Sequence, residues 1–372
     1  MILAGITGTL EELPGLLVLV PAAIGLRGNV FSALGNRLST SIHVGTFRFS
    51  ARRDSILVQN LAAALVLTIG MSLLLAVAAR VLAVALAVPG AASLGNLALV
   101  SILGGTLASL VVLAATLTLT LGAVRYEWDL DNLVAPVVST LGDVVTLPAL
   151  WLAAELVGVR VLAPSLTWLL VLGTMVAMAV TWRSRLGLLR QIIRQSLPVL
   201  TAAALLSTLA GLTLQQQLDT FLDYKALFLL ELAFVSSIGA LGGIFSSRLA
   251  TAFQLGTIEP VGVPGRAARV AGLGVLALAA PVMVLNAVGA ELVAGLFGQS
   301  SPGLGSMLAL SLVAGAIVMV FVCGVAYFGT LAAYRVGLDP DTYGVPVVTS
   351  SVDFGGALVF VVTIVSLGIA AT

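Results

Sequence analysis

The chain has 372 residues, of which 60% are hydrophobic and 9% charged, and 17 basic against 16 acidic side chains leave a formal net charge of +1. Such a chain is not a water-soluble globule, and with no basic block, acidic tail or low-complexity segment it offers nothing to a nucleic acid. Its apolar runs of about 20 to 33 residues exceed a soluble core helix or a signal peptide and lack the alternation of barrel strands, so a multi-pass, all-α protein of the cell membrane is expected.

In chain order, ten spans are predicted at roughly 13–35, 55–88, 95–124, 132–157, 161–182, 193–217, 226–247, 267–297, 305–334 and 344–371. No polar stretch between them is long enough to fold by itself. The odd-numbered connections carry Arg37, Arg48, Arg52, Arg53, Arg125, Arg183, Arg185, Arg190, Arg194, Arg248, Arg266, Arg269 and Arg335, whereas the even-numbered ones carry only Arg160 and Lys225. This asymmetry places the odd connections in the cytoplasm and the chain ends outside. Glu11, Glu12, Glu155, Asp219, Asp223 and Glu291 then lie on the outer side, where they are either simply solvated or favour cations at an outer mouth. Cys323, the sole cysteine, is read as packing, and His43, the sole histidine, as a residue of a polar connection rather than a metal ligand. No catalytic triad, zinc motif or phosphate loop is present, so no enzymatic activity is expected.

The chain repeats itself. Asp129, Asp131, Pro136 and Asp143 match Asp339, Asp341, Pro346 and Asp353 at a constant offset of 210 residues. "IGLRGNVFSALGNRLST" from Ile24 also matches "IGALGGIFSSRLAT" from Ile238 once a three-residue gap is allowed, which pairs Gly25 with Gly239 and Gly28 with Gly242. Matched spans one and seven are separated by an even number of crossings, so the copies run parallel about a pseudo-twofold axis along the membrane normal. The expected organisation is a first repeat at 1–160, a linker helix at 161–185 and a second repeat at 190–372. The span near 193–217 has no counterpart ahead of Pro14, so an additional helix preceding Met1 is expected.

Asp143 lies about eleven residues into its span, about 16 Å at 1.5 Å per residue, close to the middle of a hydrocarbon core of about 30 Å. Asp353 lies at the matching depth. A charged aspartate there costs at least about 2.5 to 3.5 kcal/mol, and such residues usually line a site or a pathway. Hydroxyls precede both: Ser139 and Thr140 in one copy, Thr349, Ser350 and Ser351 in the other. Pro136 and Pro346 each remove an amide and free a carbonyl nearby. Two carboxylates with hydroxyl and carbonyl oxygens, and no cysteine or histidine, suit a hard divalent ion: Mg²⁺ foremost, with Mn²⁺ or Ca²⁺ as alternatives. Asn29, beside Gly28, could add an amide oxygen.

Other readings of these residues stand beside that one. Either aspartate could be a buried acid, with Arg27 as the intramembrane partner of the first and Leu241 in the matching place of the second copy. Asp129, Asp131, Asp339 and Asp341 are helix caps or a cytoplasmic cation mouth. The glycines, Gly28 and Gly242 among them, are spaced for close helix contact or for lining a pore. Glu231 is a secondary candidate for proton coupling.

With these blocks in view, "GLRGN…SALGNRLST", "DLDNLVAPVVSTLGD" and "DPDTYGVPVVTSSVD" resemble the MgtE magnesium channels and, more closely, their duplicated relatives in solute carrier family 41. The resemblance implies a Mg²⁺ or broader divalent-cation pathway between two five-helix halves of one pseudo-dimeric monomer, with the ion at Asp143 and Asp353. It also implies that Gly28 and Asn29, and Gly242 and Gly243, face the pore. The alternative function is a proton- or sodium-coupled transporter of a small organic cation; a membrane scaffold would tolerate loss of both aspartates.

Overall fold

The computed structural model describes residues 16–85, 92–128, 130–159, 162–215, 221, 223–338 and 340–369. Among them the chain forms α1 (Leu16–His43), α2 (Ile56–Ala85), α3 (Leu94–Tyr126), α4 (Leu130–Glu155), α5 (Leu162–Trp182), α6 (Gly187–Gln215), α7 (Ala226–Gln254), α8 (Arg266–Leu296), α9 (Leu304–Arg335) and α10 (Pro340–Ser366). They correspond one for one to the predicted spans. Nine of the described helices are long and apolar enough to cross a membrane. The exception is α1, whose 28 residues include Arg27, Asn29, Asn36 and Arg37.

Two compact units divide the chain, unit 1 at Met1–Gly211 and unit 2 at Leu212–Thr372. In unit 1, α1 packs against α2, α3 and α4, while α3 packs against α2 and α4. In unit 2, α7 packs against α8, α9 and α10, while α9 packs against α8 and α10. One four-helix plan is therefore used twice. The linker α5 packs on α2 and α3 and has no counterpart.

The boundary of unit 1 lies further along the chain than the sequence repeat suggests. Leu189, Ile192, Ile193, Leu200 and Ala204 of α6 join the core formed by α1 to α4. The amide of Leu189 also donates to Gln59 Oε1 on α2 (3.1 Å). The expected second repeat begins at 190, whereas the compact unit 1 includes α6 as far as Gly211.

Small details of the two units coincide. Helices α1 and α7 both end at a glycine in the left-handed region, Gly45 (φ 74°) and Gly256 (φ 68°), where a side chain would be strained. The next residue closes the cap identically: Thr46 donates its amide (3.0 Å) and hydroxyl (3.2 Å) to Ser41 O, and Thr257 does the same (3.0 and 3.2 Å) to Ala252 O. Deeper in the bilayer, Ser101 of α3 donates to Ser72 O on α2 (2.7 Å), and Ser311 of α9 donates to Met283 O on α8 (2.9 Å). One turn beyond each serine stands a glycine, Gly105 or Gly315, whose missing side chain makes room for Ser72 or Met283 itself. These serine–glycine pairs let the helices approach closely, as small residues do where lipid provides no hydrophobic drive.

Candidate cation site

The two aspartates occupy the same station of matching helices. Asp143 is the fourteenth of the 26 residues of α4, and Asp353 the fourteenth of the 27 of α10. Both are half-buried and both engage neighbouring groups. Pro136 and Pro346 lie inside these helices two turns earlier, each leaving a carbonyl without its usual amide.

The hydroxyls around them are not equivalent. Thr349 donates its hydroxyl to Val345 O (3.0 Å) and Pro346 O (3.3 Å). Ser350 is fully buried, and its Oγ has no hydrogen-bond partner. Its sequence counterpart Thr140 is exposed, on the face that carries Val137 and Val144. Ser351 is half-buried and donates to Val347 O (2.7 Å). Ser139 lies in α4 one turn before Asp143.

In each unit the aspartate helix runs antiparallel to the first helix of the plan. In unit 1, a side chain at Gly35 would overlap Val134, and one at Gly142 would lie 3.7 Å from Arg27 Cβ and 3.9 Å from the Gly28 amide. As the number falls along α1 it rises along α4, so Asp143 stands level with Arg27 and Gly28. In unit 2, a side chain at Gly344 would overlap Ser246, and one at Gly239 would lie 3.7 Å from Thr349 Cγ2. Continued along the helices, that register sets Asp353 level with Ser237.

This geometry corrects the pairing of the glycines. Because α1 and α7 are each unbroken and end in the same cap, a three-residue gap inside them shifts the Ile-Gly-x-x-Gly pattern by nearly a turn relative to the aspartate helix. Counted from the caps, Gly28 corresponds to Gly239, Arg27 to Ile238 instead of Leu241, and Asn29 to Ala240. Gly242 takes the station of Phe31. The direction its side chain would take is filled by Val322 and Val348, with Val348 Cγ1 at 2.6 Å, so it serves close packing inside unit 2.

The sequence reading missed two polar clusters beside these stations. In unit 1, Arg27 is 1% exposed, its Nη1 donates to Ala23 O, and Nε and Nη2 lack hydrogen-bond partners. A side chain at Gly105 would lie 2.9 Å from Arg27 Nη2 and 2.5 Å from Ser72 Oγ, which also has no partner. In unit 2, Asn286 Nδ2 of α8 donates to Ala233 O (3.2 Å) and Ser237 Oγ (3.0 Å) on α7. A lone Asn in an apolar run was the available signal for the second cluster, as intramembrane polar residues rarely go unpaired.

Of the other candidates, Asn29 is buried and paired, and Glu231 is buried in α7 and also paired. Asp131 and Asp341 are the second residues of α4 and α10. Asp129, Asp339, Glu11, Glu12, Asp219 and Arg160 lie outside the described residues. Among the described residues, no three His, Cys, Asp or Glu side chains gather as a metal cluster.

A helical membrane protein built twice on one four-helix plan, with an acidic residue at the centre of the last helix of each plan, belongs to the class of duplicated membrane transporters. The MgtE family model, described as a divalent cation transporter, matches residues 20–153 and 232–363, and this chain belongs to that family. Solute carrier family 41 member 3 of Mus musculus is 24% identical over 372 residues, covering 93% of this chain and 74% of the relative. Solute carrier family 41 member 2 of Homo sapiens is 26% identical over 372 residues, covering 91% of this chain and 62% of the relative. A shorter match, 32% over 146 residues, covers 39% of this chain and 32% of solute carrier family 41 member 3 of Rattus norvegicus. No solved structure matches the chain.

Proposed function

We propose that this protein moves Mg²⁺ across the membrane, binding it between the two repeats through Asp143 and Asp353. The observation that carries the reading is the placement of the two aspartates at the same station, the fourteenth residue, of matching proline-containing helices. A carboxylate at that depth costs at least about 2.5 kcal/mol unless compensated, and one divalent cation compensates two. Parallel repeats about an axis along the membrane normal bring such residues to equal depth on one pathway. Thr349, Ser350, Ser139, Thr140 and Asn29, with the carbonyls released by Pro136 and Pro346, supply oxygen donors to a hydrated hard ion, which Mg²⁺ prefers to a dry cage. The Gly28 amide lies 3.9 Å from where a side chain on Gly142 would begin, and a side chain on Gly239 would begin 3.7 Å from Thr349 Cγ2, so each borders its aspartate helix. Asp129, Asp131, Asp339 and Asp341 form an acidic entrance on the cytoplasmic side, raising the local cation concentration.

The test is Mg²⁺ uptake into proteoliposomes, followed by an internal magnesium dye, for the wild type, Asp143→Asn and Asp353→Asn. Uptake by the wild type, and its loss in each folded variant, is the expected result. Failure of the wild type to admit Mg²⁺, or dependence on one aspartate alone, would reject the shared site and favour a proton- or sodium-coupled carrier of an organic cation.

A further inference from the structure

At the end of unit 1 that the arginine distribution places in the cytoplasm, a cavity of about 220 Å³ opens between the C-terminus of α1 and the α3–α4 turn. Its polar lining is Ser39, His43 and Glu127, and Trp128 and Leu130 form its apolar wall. Residues of unit 1 alone build it.

His43 enters this cavity in a defined tautomer. Its Nδ1 lies 3.0 Å from the backbone carbonyl of Ser39, and a carbonyl only accepts, so Nδ1 carries the proton. Ser39 Oγ, 3.3 Å away, shares the same nitrogen. The lone pair is therefore on Nε2. An imidazole whose Nδ1–H is held by a backbone carbonyl is the arrangement that orients a histidine as a metal ligand.

Glu127 is held there at a conformational cost. It is the one non-glycine residue with positive φ (58°) among those described, in the left-handed region that disfavours a β-carbon by roughly 1–2 kcal/mol. The equivalent turn of unit 2 is made by Gly337 (φ 72°), the residue expected at such a cap. The turn in unit 1 is fixed by Trp128, whose ring sits where a side chain on Gly122 would be and stacks on Tyr126 (5.7 Å). Unit 2 also replaces His43 by Gln254 and Ser39 by Ala250. The fold thus makes this turn without a glutamate, and unit 1 places one in a strained conformation on the cavity that holds the chain's sole histidine. Strain of this kind concentrates where a side chain has a task.

We infer that His43 Nε2 and the Glu127 carboxylate bind a divalent first-row transition metal ion, of the class of Zn²⁺, Co²⁺ and Ni²⁺, at a site separate from Asp143 and Asp353. An imidazole nitrogen beside a carboxylate selects such ions over Mg²⁺ and Ca²⁺, which prefer all-oxygen sites. Water completes the coordination. A transporter of hard cations would thereby carry, on one unit only, a cytoplasmic site that Mg²⁺ does not occupy.

The sole histidine makes the test direct. The full chain, labelled with ¹⁵N-histidine and held in detergent micelles at fixed pH, gives a single imidazole to follow by NMR while Zn²⁺ is added against a large excess of Mg²⁺. The site requires the Nε2 resonance to move and Nδ1 to remain protonated. Glu127→Gly, which installs the residue unit 2 already uses, should require about tenfold more Zn²⁺ for the same shift. Asp143→Asn should titrate as the wild type does, which keeps this result independent of the transport reading. An Nε2 resonance unmoved by millimolar Zn²⁺, or a Glu127→Gly chain that titrates like the wild type, would overturn the site.

Discussion

Gly142 of α4 lies against Arg27 of α1: a side chain at Gly142 would stand 3.7 Å from the Arg27 Cβ, which sets the arginine level with the neighbouring Asp143. A guanidinium buried at the same depth as a proposed cation ligand opposes the ion's charge. In unit 2 the corresponding station is Ile238, so the two aspartates lie in different fields although their helices match. The symmetry of the backbone is therefore not a symmetry of charge.

Replacing Arg27 by Met keeps the length of the side chain and removes the charge. At about 10 Å, the spacing of packed helices, and an effective dielectric of about 20, one unit charge acting on a divalent ion contributes about 3.3 kcal/mol. Arg27→Met is expected to bind Mg²⁺ about 200-fold more tightly, read as the Mg²⁺ concentration that half-saturates the rise in Tm in detergent. Unchanged or weaker binding would mean that Arg27 does not act on the ion.

The serine–glycine pairs of the two units should differ in tolerance. A β-carbon at Gly105 would meet Ser72 Oγ at 2.5 Å and the fully buried Arg27 at 2.9 Å, whereas one at Gly315 would meet the flexible Met283 side chain at 2.6 and 2.8 Å. Methionine repacks more readily than a confined arginine. Gly105→Ala is expected to cost about 1–3 kcal/mol, as overpacking does, and Gly315→Ala less, measured by thermal unfolding of each variant. Equal losses would contradict this packing.

Where the first helix of each plan crosses the aspartate helix, the small residue has changed sides. Unit 1 has Gly35 against Val134, and unit 2 has Ser246 against Gly344. Gly35→Ala should therefore destabilise unit 1, and Val134→Ala in the same chain should restore most of the loss because it removes the γ-carbons that collide. A double-mutant cycle on Tm should give a coupling of about 0.5–3 kcal/mol. Strict additivity of the two changes would show that the helices do not meet there.

Much of this architecture was legible because lipid constrains composition so strongly. A backbone in hydrocarbon must satisfy its own hydrogen bonds, so long apolar runs could only be helices, and all ten predicted spans are helices. The aspartate blocks were legible too, since their 210-residue offset contains no gap and places Asp143 and Asp353 at equal stations of α4 and α10. The glycine block was not, because the gap that maximises identity ignores the fact that α1 and α7 are continuous. Only the caps at Gly45 and Gly256 reveal that Gly28 stands where Gly239 does.

The sequence by itself determined the class of protein, the ten long helices among the described residues, the duplication and the matching stations of Asp143 and Asp353, because each follows from composition or from spacing along one chain. Tertiary structure decided which side chains meet. It packed most of α6 with unit 1, buried Arg27 beside Ser72 and Gly105, and joined Asn286 to Ser237. It also turned His43, read from sequence as a residue of a polar connection, into the end of a helix that lines one cavity together with Glu127. Such meetings depend on the relative register of helices far apart in the chain. Register is set by the summed fit of many small residues, and no single motif records it.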